Sequence, residues 1–89
     1  MRAVITVVGK DAVGIIADVS AILKKHSANI VDITQSVLQD LFAMIMLADI
    51  SKLDVDFIEL ADELSTMGKS LNLDIRVMHE DIFNSMHRI

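Results

Sequence analysis

The sequence predicts an α+β fold of the ferredoxin-like type, with elements in the order βαββαβ. Three observations predict it. Apolar residues recur with the period of a helix in two segments, and four other segments are β-branched and apolar or alternate as strands do. The chain also divides into two similar βαβ halves joined by a hairpin. The expected domain is a four-stranded antiparallel sheet with two helices on one face, followed by a short C-terminal helix.

The first half opens with a strand and an amphipathic helix. Residues Arg2 to Val8 are mainly β-branched and apolar, and Gly9 ends the run. The helix that follows has one core-facing side and is expected to end near His26, where basic residues suit the negative end of the helix dipole. The residues on that side are Ile15, Val19, Ile22, Leu23 and His26.

A hairpin connects the two halves. Residues Ile30 to Leu38 alternate, and a two-residue turn at Gln39 and Asp40 leads into a strand from Leu41 to Ile50. Both faces of that strand are apolar, so both should be covered. Because the two helices cover only one face, we expect a second copy or the chain's own tail to cover the other.

The second half repeats the pattern and adds a tail. Asp54 is predicted to cap a helix whose apolar residues are Phe57, Leu60, Ala61, Leu64, Met67 and Leu71. A last strand runs from Leu73 to Met78. Residues 1–79 therefore form one domain, and residues 80–89 form an amphipathic tail helix. The tail is expected to pack on its own sheet or on a dimer mate, with docking to a different protein as the alternative.

Composition narrows the classes of partner. A domain of 89 residues buries a modest share of its surface, which favours a homodimer. The net charge of -5 disfavours nucleic acid and anionic membrane surfaces as partners. The longest apolar run, Leu41 to Ala48, is far shorter than the roughly 20 residues that a membrane helix needs. The absence of cysteine fits a reducing compartment, and the cytoplasm is the expected location.

The sequence contains no recognisable catalytic or metal centre. We find no nucleophile paired with a base, and His26, His79 and His87 form no close pair, so surface or helix-capping roles are expected for them. No cofactor and no metal are predicted. RNA binding on the same topology would need aromatic residues on the sheet, where Phe42 stands alone. The open alternatives to ligand binding are a ferredoxin-like enzyme and a structural or interaction protein without a ligand.

The candidate binding site is the turn between the first strand and the first helix. Gly14 at a helix start lets a ligand approach backbone N–H groups that have no partner within the helix, which favours an anion. Asn29 both donates and accepts, and Asp11 or Asp32 can receive an ammonium group. Such a set suits a zwitterion. The alternative is structural: Gly9 and Gly14 serve the turn, Asp11 caps the helix, and Asn29 satisfies the end of the helix.

Two motifs give the chain a family resemblance. The turn Gly9-x-Asp11-x-x-Gly14-Ile15 and the strand opening Asn29-Ile30-Val31-Asp32-Ile33, in this βαββαβ order, resemble the ACT domain, named for aspartate kinase, chorismate mutase and prephenate dehydrogenase. The resemblance covers residues 2 to about 79. It extends to small stand-alone ACT proteins similar to the N-terminal part of the glycine-cleavage-system transcriptional repressor.

The resemblance implies a regulatory module that binds an amino acid between two ACT copies and acts through dimerisation or a partner protein. In the family the glycine-bearing turn, here Asp11, Gly14 and Ile15, lies against the start of the second strand, here Asn29 and Ile30, often from the other copy. The chain departs from the family at Val13, where a proline frequently precedes the glycine.

Overall fold

The computed structural model describes residues 1–10 and 14–86 and has the predicted order of elements. The strands are β1 (Arg2–Gly9), β2 (Asn29–Leu38), β3 (Leu41–Asp49) and β4 (Asp74–His79). The helices are α1 (Ile15–Lys25), α2 (Phe57–Ser70) and α3 (Glu80–Met86). The ferredoxin-like fold and the short C-terminal helix predicted from the sequence are therefore confirmed.

The four strands form one sheet in the order β2-β3-β1-β4, with every neighbouring pair antiparallel. The apolar strands β1 and β3 lie in the centre, and β2 and β4 form the edges. The β2–β3 hairpin turns at Gln39 and Asp40 as predicted, with Leu38 opposite Leu41. Gln39 takes a positive φ of 56°. The connection is tight without the Asn-Gly pair that favours such turns.

The core lies between the sheet and the helices α1 and α2. It is aliphatic, as the scarcity of aromatic residues requires, and flexible methionines fill part of it. Alternate residues of β3 point into it, which places the other half of that strand on the far side of the sheet. The fully buried side chains are Ile5, Val7, Ile15, Val19, Leu23, Met44, Met46, Leu60 and Leu64.

Both core helices end in the same way. The amide of Ala28 donates to the carbonyl of Leu23 at 2.9 Å, and the amide of Leu73 donates to the carbonyl of Gly68 at 2.7 Å. These bonds span six residues and belong to the Schellman motif, which satisfies carbonyls that have no partner within the helix. The motif turns each chain segment back toward the sheet, so β2 and β4 begin at equivalent places.

The start of α2 differs from the sequence prediction. Asp54 was expected to cap the helix, but the residue at the N-cap is Asp56 and the helix begins at Phe57. The prediction is wrong because the carboxylate of Asp54 has another partner. Its Oδ1 lies 2.9 Å from Nδ1 of His26, at the end of α1.

The face of the sheet opposite α1 and α2 is covered only in part. Helix α3 contacts β1 and β4. Its first residue, Glu80, pairs with Arg2 at 2.8 Å, and Val4, which points to this face, is only 3% exposed. The chain's own tail thus supplies part of the expected cover. Over β3, in contrast, Leu41 and Ile45 stay exposed.

Candidate functional site

A cleft lies between the last turns of α1 and the start of β2. Its volume is about 500 Å³, and it is open to the surface along one edge of the sheet. Cavities of this size hold small molecules in many proteins. The lining residues come from α1, from the turn that follows it, from β2 and from the loop after β3: Ser20, Leu23, Lys24, Ser27, Ala28, Asn29, Ile30 and Lys52.

The Schellman turn after α1 gives the cleft its shape. Ser27 takes a left-handed φ of 63°, and its amide donates to the carbonyl of Lys24 at 3.2 Å. The turn buries Ala28 and brings Asn29 into the first position of β2. Because Leu23 fills the space beneath this turn and is 1% exposed, the floor of the cleft is apolar while its walls are polar.

The charged residues that line the cleft are cationic. Lys24 and Lys52 both line the cleft, and no acidic residue lines it among the part of the chain that the structure describes. Lys24 lies in the last turn of α1, and Lys52 lies in the loop between β3 and α2. Two ammonium groups on one concave surface attract a carboxylate or another small anion.

A smaller cavity of about 120 Å³ adjoins the cleft and shares Ser27, Asn29 and Lys52 with it. This side cavity contains a carboxylate, that of Asp49, which lies opposite Asn29 in the β2–β3 register. The backbone amide of Ser51 donates to Oδ1 of Asp49 at 2.9 Å. This bond lowers the pKa of Asp49, so its carboxylate is ionised at neutral pH. Cationic residues therefore line both cavities, and the side cavity adds an anion.

A cluster around His26 fixes the two walls of the cleft. His26 is nine-tenths buried, and its Nε2 lies 2.7 Å from Oε1 of Glu63 in α2. Its Nδ1 lies 2.9 Å from Oδ1 of Asp54, whose own amide donates to the carbonyl of His26. Lys25 pairs with the second oxygen of Glu63 at 2.7 Å. The cluster therefore ties the end of α1 to α2 and to the loop that carries Lys52.

The cluster also sets the charge of the histidine. Both ring nitrogens face carboxylate oxygens, and only the protonated ring donates from both. The hydrogen bond to Glu63 and then that to Asp54 raise the pKa of His26 above its ordinary value of 6.5. The neighbouring Lys25 and then His26 lower the pKa of Glu63. His26 thus has the helix-capping position predicted for it, with two anionic partners.

The structure brings together only some of the residues predicted for the site. Asn29 and Ile30 line the cleft. Asp32 lies further along β2, past a bulge, and accepts a bond from the amide of Ile33 beside a separate shallow cavity that Leu47 also lines. Asp49 is the carboxylate next to Asn29 in the described chain.

The glycine-bearing turn lies at the other end of α1. Gly14 precedes the 11-residue helix and Asn29 follows it, so the two positions are separated by roughly 16 Å, given a helical rise of about 1.5 Å per residue. Gly14 has a φ of 77°, and a Cβ placed on it would meet no atom within 4 Å. Ile15 is buried, so its side chain belongs to the core. Asp11, the remaining predicted residue, lies outside the described residues.

Three functional candidates escaped the sequence prediction. Lys24 was interpreted only as a complement to the helix dipole, and neither Lys52 nor Asp49 was singled out. No spacing rule connects them, because they come from different elements and meet only where the end of α1 crosses the β3–α2 loop. One sequence feature could have drawn attention to Lys24: it occupies the same place in the first half of the chain as Lys69 does in the second.

The other histidines have structural surroundings or lie outside the description. The ring of His79 stacks on Phe57 with centroids 4.1 Å apart and an interplanar angle of 17°. His87 lies outside the described residues. Over residues 1–10 and 14–86, no helix is long and apolar enough to cross a membrane.

Comparison with known proteins identifies the family. A family model described as the ACT domain matches residues 2–78. The chain belongs to the ACT domain family. The resemblance inferred from the two motifs is thereby confirmed, and as an ACT domain the chain is a regulatory module of the kind that binds small ligands.

Relatives within the family match nearly the whole chain. The UPF0237 protein of Methanopyrus kandleri is 51% identical over 88 residues, which cover 99% of this chain and 98% of that protein. The solved structure of an ACT domain protein from Streptococcus pneumoniae is 41% identical, covers 93% of each chain and superposes with a TM-score of 0.79. These relatives are similar to the ACT domain together with its tail.

A further solved structure, that of a candidate glycine cleavage system transcriptional repressor, is 25% identical with a TM-score of 0.68. The match covers 86% of this chain and 44% of that one. The expected similarity to one part of such a repressor is therefore confirmed. ACT membership favours a regulatory over an enzymatic role.

Proposed function

We propose that this ACT domain senses an amino acid, which binds in the cleft at the end of α1 and is enclosed by a second copy of the chain. The observation that carries the proposal is the presence of both charges around Asn29. Lys24 and Lys52 line the cleft, and Asp49 joins Lys52 in the adjoining side cavity. A free amino acid carries the matching pair of charges.

The polar groups of the cleft suit each end of the ligand. The ammonium groups of Lys24 and Lys52 receive the carboxylate through charge-assisted hydrogen bonds. The ionised carboxylate of Asp49 receives the ammonium group, and Asn29 donates to one end or accepts from the other. The apolar floor formed by Leu23 and Ile30 accommodates the ligand's side chain.

The second copy supplies the other half of the predicted site. Nearly all of β2 is exposed, and its outer edge has backbone groups free to pair with another strand. Antiparallel pairing of two β2 strands extends the sheet. It also places the two α1 helices side by side in opposite directions, because α1 lies over β2. The Gly14 end of one helix then lies beside the Asn29 end of the other.

This arrangement accounts for both predicted motifs. The exposed amides at the start of α1 in one copy face the cleft of the other copy, where they add to the lysines as donors for the carboxylate. Asp11, Gly14 and Ile15 act from one chain, and Asn29 and Ile30 act from its partner. Ligand binding favours the paired state by its differential affinity, which gives a regulatory output through the oligomeric state or a partner protein.

A thermal-shift screen against the twenty amino acids tests the proposal. A ligand at 100 times its dissociation constant stabilises by about 2.7 kcal/mol, which for a domain of this size corresponds to roughly 10 °C or more. We expect one amino acid or a chemically related set to raise the melting temperature. Two matched controls are the corresponding amino acid amide, which lacks the carboxylate, and the decarboxylated amine. Neither should stabilise.

The absence of any shift with all twenty compounds contradicts the proposal. So does equal stabilisation by an amino acid and by its amide, because the lysine pair would then have no role. Sedimentation of the same samples provides an independent check. The stabilising compound should increase the fraction of two-chain species, since the site is complete only when two copies pair.

A further inference from the structure

The sheet face opposite α1 and α2 has two unlike corners. Helix α3 covers the corner where β1 begins and β4 ends, as the pairing of Glu80 with Arg2 and the burial of Val4 show. Within residues 1–10 and 14–86, no element covers the diagonally opposite corner. It presents apolar side chains that are 40% to 72% exposed, which we call the apolar corner: Val8, Leu38, Leu41 and Ile45.

Uncharged side chains occupy the centre of the apolar corner. By the strand registers, Thr34 and Thr6 flank Ile45, and Ser36 and Val8 flank Ala43. Charged residues border it: Asp74 stands opposite Val8 and contacts Arg76 at 3.3 Å, and Asp32 lines the same shallow cavity as Ile45. An apolar centre with a charged rim is the anatomy of a protein interface, because the centre loses water at little cost.

Helix α3 also exposes apolar side chains. Ile82 and Met86, one helical turn apart, are 52% and 65% exposed, although α3 packs on β1 and β4. Together with the apolar corner they expose on the order of 600 Å² of side chain per chain. A standard interface buries about 800 Å² per partner. The surface is therefore close to what a stable pair of chains requires.

The placement of these two surfaces makes the face complementary to itself. In a pair related by a two-fold axis, each surface patch must meet a patch on an identical chain. A two-fold axis that interchanges the two corners of the face brings α3 of one chain onto the apolar corner of the other. The same axis places α3 of the second chain on the apolar corner of the first. We propose that a second copy covers this face, with α3 of each chain packed on the apolar corner of its mate.

This interface is separate from the pairing of β2 strands on which the sensing proposal depends. It uses the opposite face of the sheet and contains no residue of the cleft. Its experimental test is therefore independent, and either proposal can fail without the other.

Cysteine pairs test the contact directly, because the chain has no cysteine of its own. The double variant Ile45→Cys with Ile82→Cys should form a disulfide-linked two-chain species under mild oxidation. The matched control combines Ile82→Cys with Ile58→Cys, since Ile58 is equally apolar, 71% exposed and located on α2. We expect at least tenfold more linked dimer in the first variant. Equal yields, or a bond within one chain, would overturn the proposal.

A charge variant provides the second readout. Ile45→Glu places a carboxylate in the apolar corner and should lower the weight-average mass in solution by up to twofold, toward that of a chain without this contact. Ile58→Glu should leave the mass unchanged, and circular dichroism shows whether each variant is folded. A mass that is the same in wild type and Ile45→Glu overturns the proposal. Amino acid binding by Ile45→Glu should persist, since the cleft lies on the other side of the sheet.

Discussion

The ends of α1 and α2 are built alike but differ in packing and in the residues that line the cavity beside each. Each helix ends in a Schellman turn with a left-handed residue that is not glycine, Ser27 at φ 63° and Asn72 at φ 61°. Equivalent lysines precede them by three residues, Lys24 and Lys69. One residue decides the difference in packing: the carbonyl that closes the first turn belongs to Leu23, and the carbonyl that closes the second belongs to Gly68.

Gly68 lets α2 lie close on β4. A Cβ built on it would lie 2.7 Å from Cγ1 of Ile75, so the glycine permits direct contact between helix and strand. Leu23 instead places a large side chain between α1 and the sheet. The cavity beside this end has a volume of about 500 Å³, and the one beside the end of α2 has a volume of about 440 Å³. The comparison shows that the packing beneath the two helix ends differs while a cavity is present at both, so the chemistry of the lining residues is what distinguishes them.

The charged and polar residues at the two ends also differ. The first has Lys24, Lys52 and Asn29 around its cleft. The corresponding region of the second has Lys69 followed by Asp74, which stands where Asn29 stands in the first half. An acidic residue at that position opposes a carboxylate ligand. The first end is therefore suited to the acid group of an amino acid, and the second is not.

The largest expected effect comes from removing the side chain that supports the cleft. Leu23→Ala deletes a buried side chain and should lower the free energy of unfolding by about 2–5 kcal/mol. Urea denaturation measures this. A loss below about 1 kcal/mol would show that Leu23 does not support α1, because a buried leucine that packs well costs at least twice as much to truncate.

At the equivalent position in the second half, Gly68, the domain should be destabilised by added volume, whereas at Leu23 it is destabilised by lost volume. Gly68→Ala forces its methyl group against Ile75 and should cost about 1–2 kcal/mol, since overpacking outweighs the roughly 1 kcal/mol that alanine gains in a helix. Thr66→Ala, at an exposed position of the same helix, is the control and should be neutral or stabilising. If Gly68→Ala stabilises the domain, α2 does not need the close approach to β4.

An effect of similar size is expected at the start of α1. Gly14→Ala should cost about 1–2 kcal/mol, the penalty of a left-handed conformation for an L-residue, since the added Cβ meets nothing within 4 Å. Gly14→Asn should cost less, because asparagine adopts this conformation more readily. Equal losses in the two variants would point to lost space, not backbone conformation, as the cause.

The smallest and most condition-dependent effect concerns His26. Its pKa is raised in the folded state, so the stabilisation it provides is complete below about pH 6.5 and is lost as the pH rises through the folded-state value. The stability difference between wild type and His26→Gln should therefore be larger at about pH 6 than at about pH 9. Denaturation curves at the two values measure it. A difference that grows toward alkaline pH contradicts the ion-pair assignment.

The fold was largely predictable because each element has its own periodicity. The hairpin turn at Gln39 and Asp40 and the core face of α1 follow from local patterns. Asp54 was assigned as a helix cap since its preference for that role is local, whereas its real partner, His26, is 28 residues away. A rule that uses only neighbouring residues cannot show that a residue such as Asp54 has a better partner far away in the sequence.

The candidate site was predictable only in part. The start of β2 was correctly singled out by Asn29 and Ile30, which line the cleft. The sequence order already places Gly14 and Asn29 at opposite ends of α1, so a single chain cannot bring the two motifs together. Lys52 and Asp49 were missed because a loop residue and a strand-end residue acquire a common role only after the chain has folded.

The equivalent lysines of the two halves provide the most direct test of amino acid sensing at the end of α1. Lys24→Ala and Lys69→Ala remove the same group from the same place in two repeats. Calorimetric titration with the amino acid that stabilises wild type should show affinity reduced roughly tenfold or more in Lys24→Ala, as expected for a lost charge-assisted hydrogen bond, and unchanged in Lys69→Ala. Equal affinities in both variants, or a loss confined to Lys69→Ala, would contradict the account.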